Sequence, residues 1–112
     1  MKNLSSKAQP FVLQRILDLP ADAIGVYCFW HGNRSIYVGK TDKQTLKTRL
    51  KQHYDGSHND KLSNWISAEG AELKFSYVIC SNSDEVNNLE KKDIHRLQPI
   101  TNVIMFRNAE VN

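Results

Sequence analysis

Two tyrosine-containing segments, joined by a short run of turn-forming residues, constrain the fold of this chain most strongly. Residues 24–30 and 35–38 are rich in β-branched and aromatic side chains, which favour strands. The sequence between them, His31-Gly32-Asn33-Arg34, is typical of a tight turn. The pattern therefore predicts a β-hairpin that carries Tyr27 on one strand and Tyr37 on the other.

The length of the turn decides whether the two phenols share a face of this hairpin. A three-residue loop centred on Gly32 would set Tyr27 directly opposite Tyr37 on one face, because alternate residues of a strand point to opposite sides. A two-residue Gly32-Asn33 turn would put them on opposite faces. The residues alone leave both arrangements open.

The other segments predict a small α+β domain. Apolar periodicity and boundary residues indicate helices over residues 11–19, 41–54, 60–69 and 83–97, a third strand over 73–80 and a short extended segment over 103–106. Thr41 and Gln44 fit a capping box for the second helix, and Ser83 a start for the last one. This order predicts a three-stranded, mainly antiparallel sheet flanked by helices, with an extra N-terminal helix.

Length and composition indicate one globular domain. The chain has 112 residues, of which 40% are hydrophobic and 24% charged, an ordinary balance for a single core. We expect an N-terminal extension with a short helix at residues 1–20, the domain proper at 21–106 and a tail at 107–112. No apolar run approaches the roughly 18 residues of a membrane span, and no signal peptide is evident, which predicts a cytoplasmic protein without a membrane partner.

Positive charge is concentrated in one part of the chain. Residues 34–51 carry six basic side chains and one acid, a net charge of +5, whereas the whole chain carries +3. The basic residues of this segment are Arg34, Lys40, Lys43, Lys47, Arg49 and Lys51. A surface of this kind is suited to phosphate contact, although the same lysines could simply maintain solubility on a solvated helix face.

The triplets Gly25-Val26-Tyr27 and Tyr37-Val38-Gly39 resemble the two signature motifs of the GIY-YIG nuclease family. The resemblance covers roughly residues 21–103. Within the family, the chain is similar to the N-terminal domain of excision-repair nucleases and to the catalytic domain of homing endonucleases. It extends to Arg49 and His53, to Glu90, and to the element Pro99-Ile100-Thr101-Asn102. It also demands the three-residue hairpin loop, with both phenols on one face.

What the resemblance implies is a metal-dependent endonuclease that hydrolyses phosphodiester bonds in DNA, with RNA not excluded, using one Mg²⁺ or Mn²⁺ ion. The catalytic residues would be Tyr27, Tyr37, Arg49, His53 and Glu90, with Glu90 as the metal ligand. The substrate-binding residues would be Lys40, Lys47, His58 and Asn102. A targeting protein partner is a further expectation, and the pathway, whether DNA repair or recombination, stays open.

Residue chemistry supports these roles independently. Arg49 and His53 lie four residues apart and so share a helix face, and a guanidinium binds phosphate oxygens in a bidentate manner. Glu90 stands between Val86 and Ile94, where helical periodicity predicts an apolar residue, and one carboxylate with waters and a phosphate is a usual Mg²⁺ site. Alternatively, Glu90 pairs with a neighbouring lysine.

The identity of the general base stays open between Tyr27 and His53. A histidine has an unperturbed pKa of about 6.5 and accepts protons near neutrality, whereas a tyrosine, at about 10, needs a cationic pocket. Tyr27 and Tyr37 could instead be ordinary core aromatics of the hairpin. In that case the chain would be a silent nucleic-acid-binding or protein-interaction module on the same fold.

Overall fold

The computed structural model describes residues 8–56 and 73–100, and its framework is a four-stranded antiparallel sheet. The strands are β1 (Gln9–Pro10), β2 (Ile24–His31), β3 (Arg34–Thr41) and β4 (Lys74–Cys80), in the spatial order β1-β4-β2-β3. Three helices are formed by these described ranges: α1 (Leu13–Leu17), α2 (Leu46–Asp55) and α3 (Ser83–Leu97). The predicted α+β class is confirmed.

The sheet has one strand more than the three that the sequence predicts. The additional strand, β1, has two residues, and Gln9 and Pro10 pair with Phe75 and Lys74 of β4. A two-residue strand is too short to show alternating hydrophobicity, and proline is tolerated at a sheet edge because its missing N–H is not needed there. The backbone N–H of Phe11 still donates to the carbonyl of Leu73 (2.9 Å), so α1 begins later than predicted.

The central strand β2 is buried on both faces of the sheet. Its odd-numbered aromatics, Tyr27 and Phe29, belong to the core beneath α1 and α2, whereas Val26, Cys28 and Trp30 belong to the core beneath α3. Strand residues alternate between faces, so a continuous apolar run is expected for a strand that is covered on both sides. Cys28 and Cys80 are buried and form no disulfide.

The β2–β3 hairpin closes with a two-residue turn, so the predicted three-residue loop is wrong. His31 pairs directly with Arg34, which leaves Gly32 and Asn33 as the turn. Gly32 has a φ of +61°, a left-handed conformation that glycine adopts without the Cβ clash of other residues. By itself this turn would separate the two phenols onto opposite faces.

A β-bulge in β3 restores the shared face. Trp30 pairs with Ser35 and Phe29 pairs with Tyr37, so Ile36 is an extra residue on the β3 side. One inserted residue reverses the alternation of side chains beyond it. The Tyr37 ring therefore lies on the same face as Tyr27, diagonally across the hairpin, with 6.2 Å between the ring centroids.

Helix α2 begins one turn later than its predicted capping box. Thr45 is the N-cap, and its hydroxyl accepts a hydrogen bond from the backbone N–H of Thr48 (3.1 Å). Thr41, predicted to fill this role, is the last residue of β3, and its Oγ1 accepts from the N–H of Gly25 (3.0 Å). The predicted buried stripe of Leu46 and Leu50 is confirmed.

Helix α3 matches its prediction closely. Its N-cap is Asn82 rather than Ser83, with the side-chain Oδ1 of Asn82 accepting from the N–H of Glu85 (2.9 Å). It ends at Leu97, before Pro99, as expected. The predicted helix over 60–69 and the extended segment over 103–106 lie outside the described residues.

Within residues 8–56 and 73–100, no helix has both the length and the apolar character needed to cross a membrane.

Candidate active site

A buried hydrogen bond between Tyr27 and His53 forms the centre of the candidate site. The phenol oxygen of Tyr27, on β2, lies 2.7 Å from Nε2 of His53, on α2. The two side chains are 0% and 1% exposed, respectively. Helix α2 packs on the β2 face that carries Tyr27, and this packing brings the phenol and the imidazole together inside the core. Each polar group is the hydrogen-bond partner of the other.

Three aromatic rings surround the imidazole of His53. Its centroid lies 5.5 Å from those of Tyr27 and Phe29 and 5.9 Å from that of Tyr37. The Phe29 contact is edge-to-face, with an interplanar angle of 89°, the geometry that aromatic pairs favour. We call Tyr27, Phe29, Tyr37 and His53 the aromatic cluster. Its packing fixes the imidazole plane, and with it the direction of Nε2.

Glycine at position 39 makes room for this arrangement. Gly39 is the cross-strand partner of Tyr27. A Cβ at Gly39 would lie 2.4 Å from both Cζ and the hydroxyl oxygen of Tyr27, and 2.8 Å from Cε2 of Tyr37. Carbon atoms do not approach this closely without displacement. The second triplet therefore ends in glycine because the Tyr27 phenol lies across the Gly39 backbone.

Glycine at position 25 has a different cause. A Cβ there would lie 1.9 Å from the carbonyl oxygen of Val78 in β4. The Gly25 N–H also donates to Thr41, which ties the first residues of β2 to the end of β3. The glycine of the first triplet thus permits close approach of β4, and it holds the strand that presents Tyr27.

Arg49 lies at the same site, on α2 and one turn before His53. Its guanidinium interacts with the phenols of both Tyr27 and Tyr37 and lowers the pKa of each. Its Nη1 also donates to Oε1 of Gln52 (3.1 Å). The predicted sharing of one helix face by Arg49 and His53 is therefore realised, because both side chains reach Tyr27.

The two phenols are held in their neutral form. Burial is the main cause that raises the pKa of Tyr27 above its ordinary value of 10, and the neighbouring Tyr37 raises it further. Burial likewise raises the pKa of Tyr37, against the lowering effect of Arg49. At neutral pH, both side chains retain a hydroxyl hydrogen that can be donated.

Glu90 approaches the site from α3, near the end of β3. Partial burial raises the pKa of its carboxyl group; Lys40 opposes this shift, and Asp42 reinforces it. The ammonium group of Lys40 donates to the side-chain carbonyl of Asn87, one turn before Glu90 on α3. The strongest attraction on Glu90 thus comes from Lys40 on β3, with Lys91 on its own helix contributing less.

The remaining predicted residues are not gathered at this centre. Lys47 lies two residues before Arg49 on α2. In a helix of 3.6 residues per turn, this spacing separates the two side chains by about 200° around the helix axis. It therefore belongs to another face of α2. His58 and Asn102 lie outside the described residues.

Sequence reasoning missed several residues that shape the site. Phe29 is two residues after Tyr27 on the same strand face, a spacing that could have identified it. Gln52 is three residues after Arg49, and Asn87 three before Glu90, which are both helix-neighbour spacings. Thr41 was assigned to a helix cap, although its hydroxyl serves the hairpin.

Comparisons with known proteins agree with this geometry. Residues 23–102 match the model of the GIY-YIG catalytic domain family. The UvrABC system protein C of Aquifex aeolicus is 36% identical over 80 residues, and that of Streptococcus agalactiae 31% over 96 residues. These alignments cover 71% and 82% of this chain, which spans only 13% and 15% of the length of those two relatives.

Solved structures show the same fold. The GIY-YIG N-terminal endonuclease domain of UvrC from Thermotoga maritima, bound to its catalytic divalent cation, magnesium, superposes with a TM-score of 0.62 at 27% identity. That match covers 79% of this chain and 91% of the other. A point mutant of the same domain with its divalent cation gives a TM-score of 0.61 at 28% identity.

A family model that spans most of the chain, a catalytic domain of the same fold, and a tyrosine and histidine joined in the core all agree. The chain belongs to the GIY-YIG catalytic domain family, and it is a nuclease domain of that type, acting on phosphodiester bonds.

Proposed function

We propose that residues 21–106 form a metal-dependent endonuclease unit that cleaves DNA, flanked by an N-terminal extension at 1–20 and a tail at 107–112. The observation that carries this proposal is the 2.7 Å contact between the Tyr27 phenol and Nε2 of His53, beside the Arg49 guanidinium. Attack of water on a phosphodiester needs a proton acceptor and a cation for the charge that develops on the phosphoryl oxygens. These three side chains provide both.

The burial of the site side chains indicates the side from which the scissile phosphate approaches. Tyr27 and His53 are shielded from solvent, whereas Tyr37, Arg49 and Glu90 are only partly buried. The scissile phosphate therefore reaches the site over these three side chains. Arg49 binds its oxygens, and the Tyr37 hydroxyl orients the phosphate or the attacking water.

Proton removal from the water runs through Tyr27 to His53. Because burial keeps Tyr27 neutral, its hydroxyl hydrogen can be donated to Nε2 of His53. As the phenol passes this hydrogen to the imidazole, it takes up the proton of the attacking water, so no free phenolate forms. His53 is then the final acceptor and Tyr27 the relay. Attack at phosphorus breaks the bond to the 3′ oxygen, which takes a proton from solvent and leaves as a 3′-hydroxyl, and the other product carries the 5′-phosphate.

The residues present fit a single Mg²⁺ or Mn²⁺ ion held by Glu90. A carboxylate is the hard oxygen ligand that Mg²⁺ prefers, and one protein carboxylate is enough because the ion retains several waters and phosphate oxygens. The partly desolvated charge of Glu90 would also be relieved by a cation. When bound, the ion would supply Lewis-acid stabilisation of charge on the phosphoryl group and on the leaving oxygen.

The remaining predicted residues complete the proposed substrate contacts. Lys40, held by Asn87 near Glu90, neutralises phosphate charge at the site, and Lys47 contacts the backbone of the substrate further away. His58 and Asn102 are proposed from the family resemblance alone. Because the chain spans a small part of its UvrABC system protein C relatives, a DNA repair role and a targeting protein partner are proposals of the same kind.

Cleavage of supercoiled plasmid and of branched DNA, with and without Mg²⁺ or Mn²⁺, tests the function. Wild type should nick DNA only with a metal present. Tyr27→Phe should lower the rate by roughly 10²–10⁴, the usual contribution of a proton-transfer group, and Glu90→Gln should remove the metal-dependent cleavage because it loses the metal ligand. Binding of DNA without metal-dependent cleavage would replace this proposal with a nucleic-acid-binding module.

Matched controls separate the site from the scaffold. Tyr54→Phe removes a phenol hydroxyl from an exposed ring that packs on Phe11, and it should cleave like wild type. A thermal shift gives a readout that does not depend on activity. Mg²⁺ should raise the melting temperature of wild type but not of Glu90→Gln, because a ligand stabilises only the protein that binds it.

A further inference from the structure

We propose that Gln52 is a positioning residue that holds the catalytic arginine, Arg49, with Gln44 fixing Gln52 in turn. This inference rests on the proposed role of Arg49 at the scissile phosphate. Neither glutamine is among the catalytic or substrate-binding residues that the family resemblance implies. Together with Arg49 they form what we call the amide clamp, defined by residues 44, 49 and 52.

The clamp is a closed set of hydrogen bonds. Nη1 of Arg49 donates to Oε1 of Gln52 at 3.1 Å. Nε2 of Gln52 donates to Oε1 of Gln44 at 3.0 Å, and Nε2 of Gln44 returns to Oε1 of Gln52 at 3.4 Å. All three contacts are partly buried. The loop before α2 is thereby joined to the helix turn that carries Arg49.

The orientation of each amide is determined by its partners. An amide oxygen accepts through two lone pairs, and a guanidinium can only donate. Oε1 of Gln52 must therefore face Arg49, which points Nε2 of Gln52 at the oxygen of Gln44. If the Gln52 amide were rotated by 180°, its NH₂ group would face the Arg49 guanidinium, and two hydrogen-bond donors would meet. Only one arrangement satisfies all three side chains.

The clamp adds a contact to the guanidinium besides its interactions with the phenols. Arg49 interacts with Tyr27 and Tyr37 in the site, while Gln52 holds Nη1 from the helix surface. A planar group that is held at separate places keeps its orientation. Arg49 is thus ordered before substrate arrives, and ordering a catalytic group in advance raises the rate of the chemical step.

A neutral acceptor is suited to this task. A glutamate at position 52 could hold the same guanidinium nitrogen, but it would form an ion pair and reduce the positive potential that Arg49 presents to phosphate. Glutamine orients the guanidinium without cancelling its charge. The clamp therefore predicts different effects for loss of the acceptor and for a change of its charge.

Two substitutions at one position separate these effects. Gln52→Met has similar length but cannot accept from Arg49, and we expect kcat to fall about tenfold, since small misplacements of a catalytic group cost up to about 10² in rate. Its KM should change less than kcat. Gln52→Glu should keep kcat closer to wild type and raise KM, and the slope of log binding constant against log salt should shrink by about one phosphate contact.

The matched control is Gln14→Met on α1. The amide of Gln14 makes a comparable helix-surface contact, donating to Oδ1 of Asp18 at 3.0 Å, far from any predicted site residue in the sequence. Its kcat, KM and salt slope should equal those of wild type. Gln44→Met should lower kcat in the same direction as Gln52→Met, but by less, because Gln44 acts on Arg49 through Gln52.

Rotation of the Arg49 guanidinium gives a readout that does not need catalysis. ¹⁵N side-chain NMR, with the Arg49 signals assigned from Arg49→Lys, should show slower rotation about the Cζ–Nη bonds in wild type than in Gln52→Met. Equal rotation rates, or unchanged kcat and KM in Gln52→Met, would overturn the clamp while leaving the nuclease proposal intact.

The two proposals fail separately. If wild type cleaves no DNA with Mg²⁺ or Mn²⁺, the proposed function fails, and the rotation rates still decide whether Gln52 holds Arg49. Faster rotation in Gln52→Met would then support the clamp as a structural device. Faster rotation together with a selective loss of kcat in an active enzyme would support it as a catalytic one.

Discussion

Tyr27 shows that a core aromatic and a candidate catalytic group need not be alternatives. Its ring is fully buried in the hydrophobic core beneath α1 and α2, as expected for a hairpin aromatic. Its hydroxyl meets His53 at 2.7 Å, which satisfies the buried polar atom and creates the proposed proton path at the same time. The core packing is therefore what positions the chemistry, and the residue that admits this packing is Gly39.

Gly39→Ala should damage both stability and activity. The new Cβ would overlap the Tyr27 ring, and overpacking of this kind costs about 1–3 kcal/mol. The ring must move, which lengthens its contact with His53 and lowers cleavage. Urea denaturation and plasmid nicking measure the two effects.

The control for Gly39→Ala is the same substitution at the hairpin turn. A Cβ at Gly32 would have no atom within 4 Å, but Gly32→Ala places alanine at a φ of +61°, which costs about 1–2 kcal/mol of stability. It should lose stability and keep its activity once corrected for folded protein. An equal loss of activity in both variants would mean that Gly39 does not determine the position of the Tyr27 ring.

Glu90 should make the protein less stable at neutral pH than its neutral analogue in the absence of metal. Desolvation raises its pKa in the folded state above the ordinary 4.5, so the folded protein favours the protonated form. Stability is therefore lost as pH rises from the unfolded pKa through the folded one. In EDTA, Glu90→Gln should unfold at higher urea than wild type at pH 7, with the difference vanishing below about pH 4.

Asp84→Asn gives the opposite expectation on the same helix. Asp84 is exposed in the first turn of α3, where a negative charge stabilises the helix N-terminus. Its removal should lower stability at pH 7. A loss of stability at pH 7 in Glu90→Gln as well would contradict the desolvation account of Glu90.

At the scale of elements, the sequence predicted the hairpin, the Leu46–Leu50 stripe of α2 and nearly all of α3, because each has a clear local period. It could not predict where pairing becomes irregular. The bulge at Ile36 depends on how both strands pack against the two cores, since Ser35 hydrogen-bonds Cys28 on one face while Ile36 enters the core on the other. No local pattern encodes that division.

Deleting Ile36 should cost far more stability than lengthening the turn, because its side chain is fully buried. Removal of the bulged residue makes Trp30–Ser35 and Phe29–Tyr37 consecutive pairs, so Tyr37 and Val38 keep their faces, but the loss of a buried isoleucine costs about 2–5 kcal/mol. Inserting one glycine after Gly32 leaves the bulge in place and should cost less than about 1 kcal/mol, since loop entropy grows slowly with length. Denaturation midpoints should be much lower for the deletion than for the insertion, whereas both variants should cleave DNA once rates are corrected for the amount of folded protein, because both keep the two phenols on one face.

At the scale of the whole molecule, the candidate site is assembled from both sides of the sheet. Helix α2 brings Arg49 and His53 to one face, whereas Glu90 comes from α3, which covers the other face. The sequence identified these residues through family spacing, but their convergence depends on tertiary packing. The buried carboxylate of Asp93 on α3, held by Arg96 at 3.0 Å, was not foreseen, because an acid next to lysines resembles an exposed position.

The basic surface of residues 34–51 should contribute unevenly to DNA binding, because its charges are not equally available. Lys51 donates to Oδ1 of Asp55 at 2.7 Å, so part of its charge is already neutralised. Lys47→Ala should reduce the slope of log binding constant against log salt by about one, and Lys51→Ala by less. Asp55→Ala frees Lys51 and should steepen the slope. A larger loss from Lys51→Ala than from Lys47→Ala would mean that DNA displaces Asp55 from Lys51, and that the substrate path follows the Lys51 side of α2.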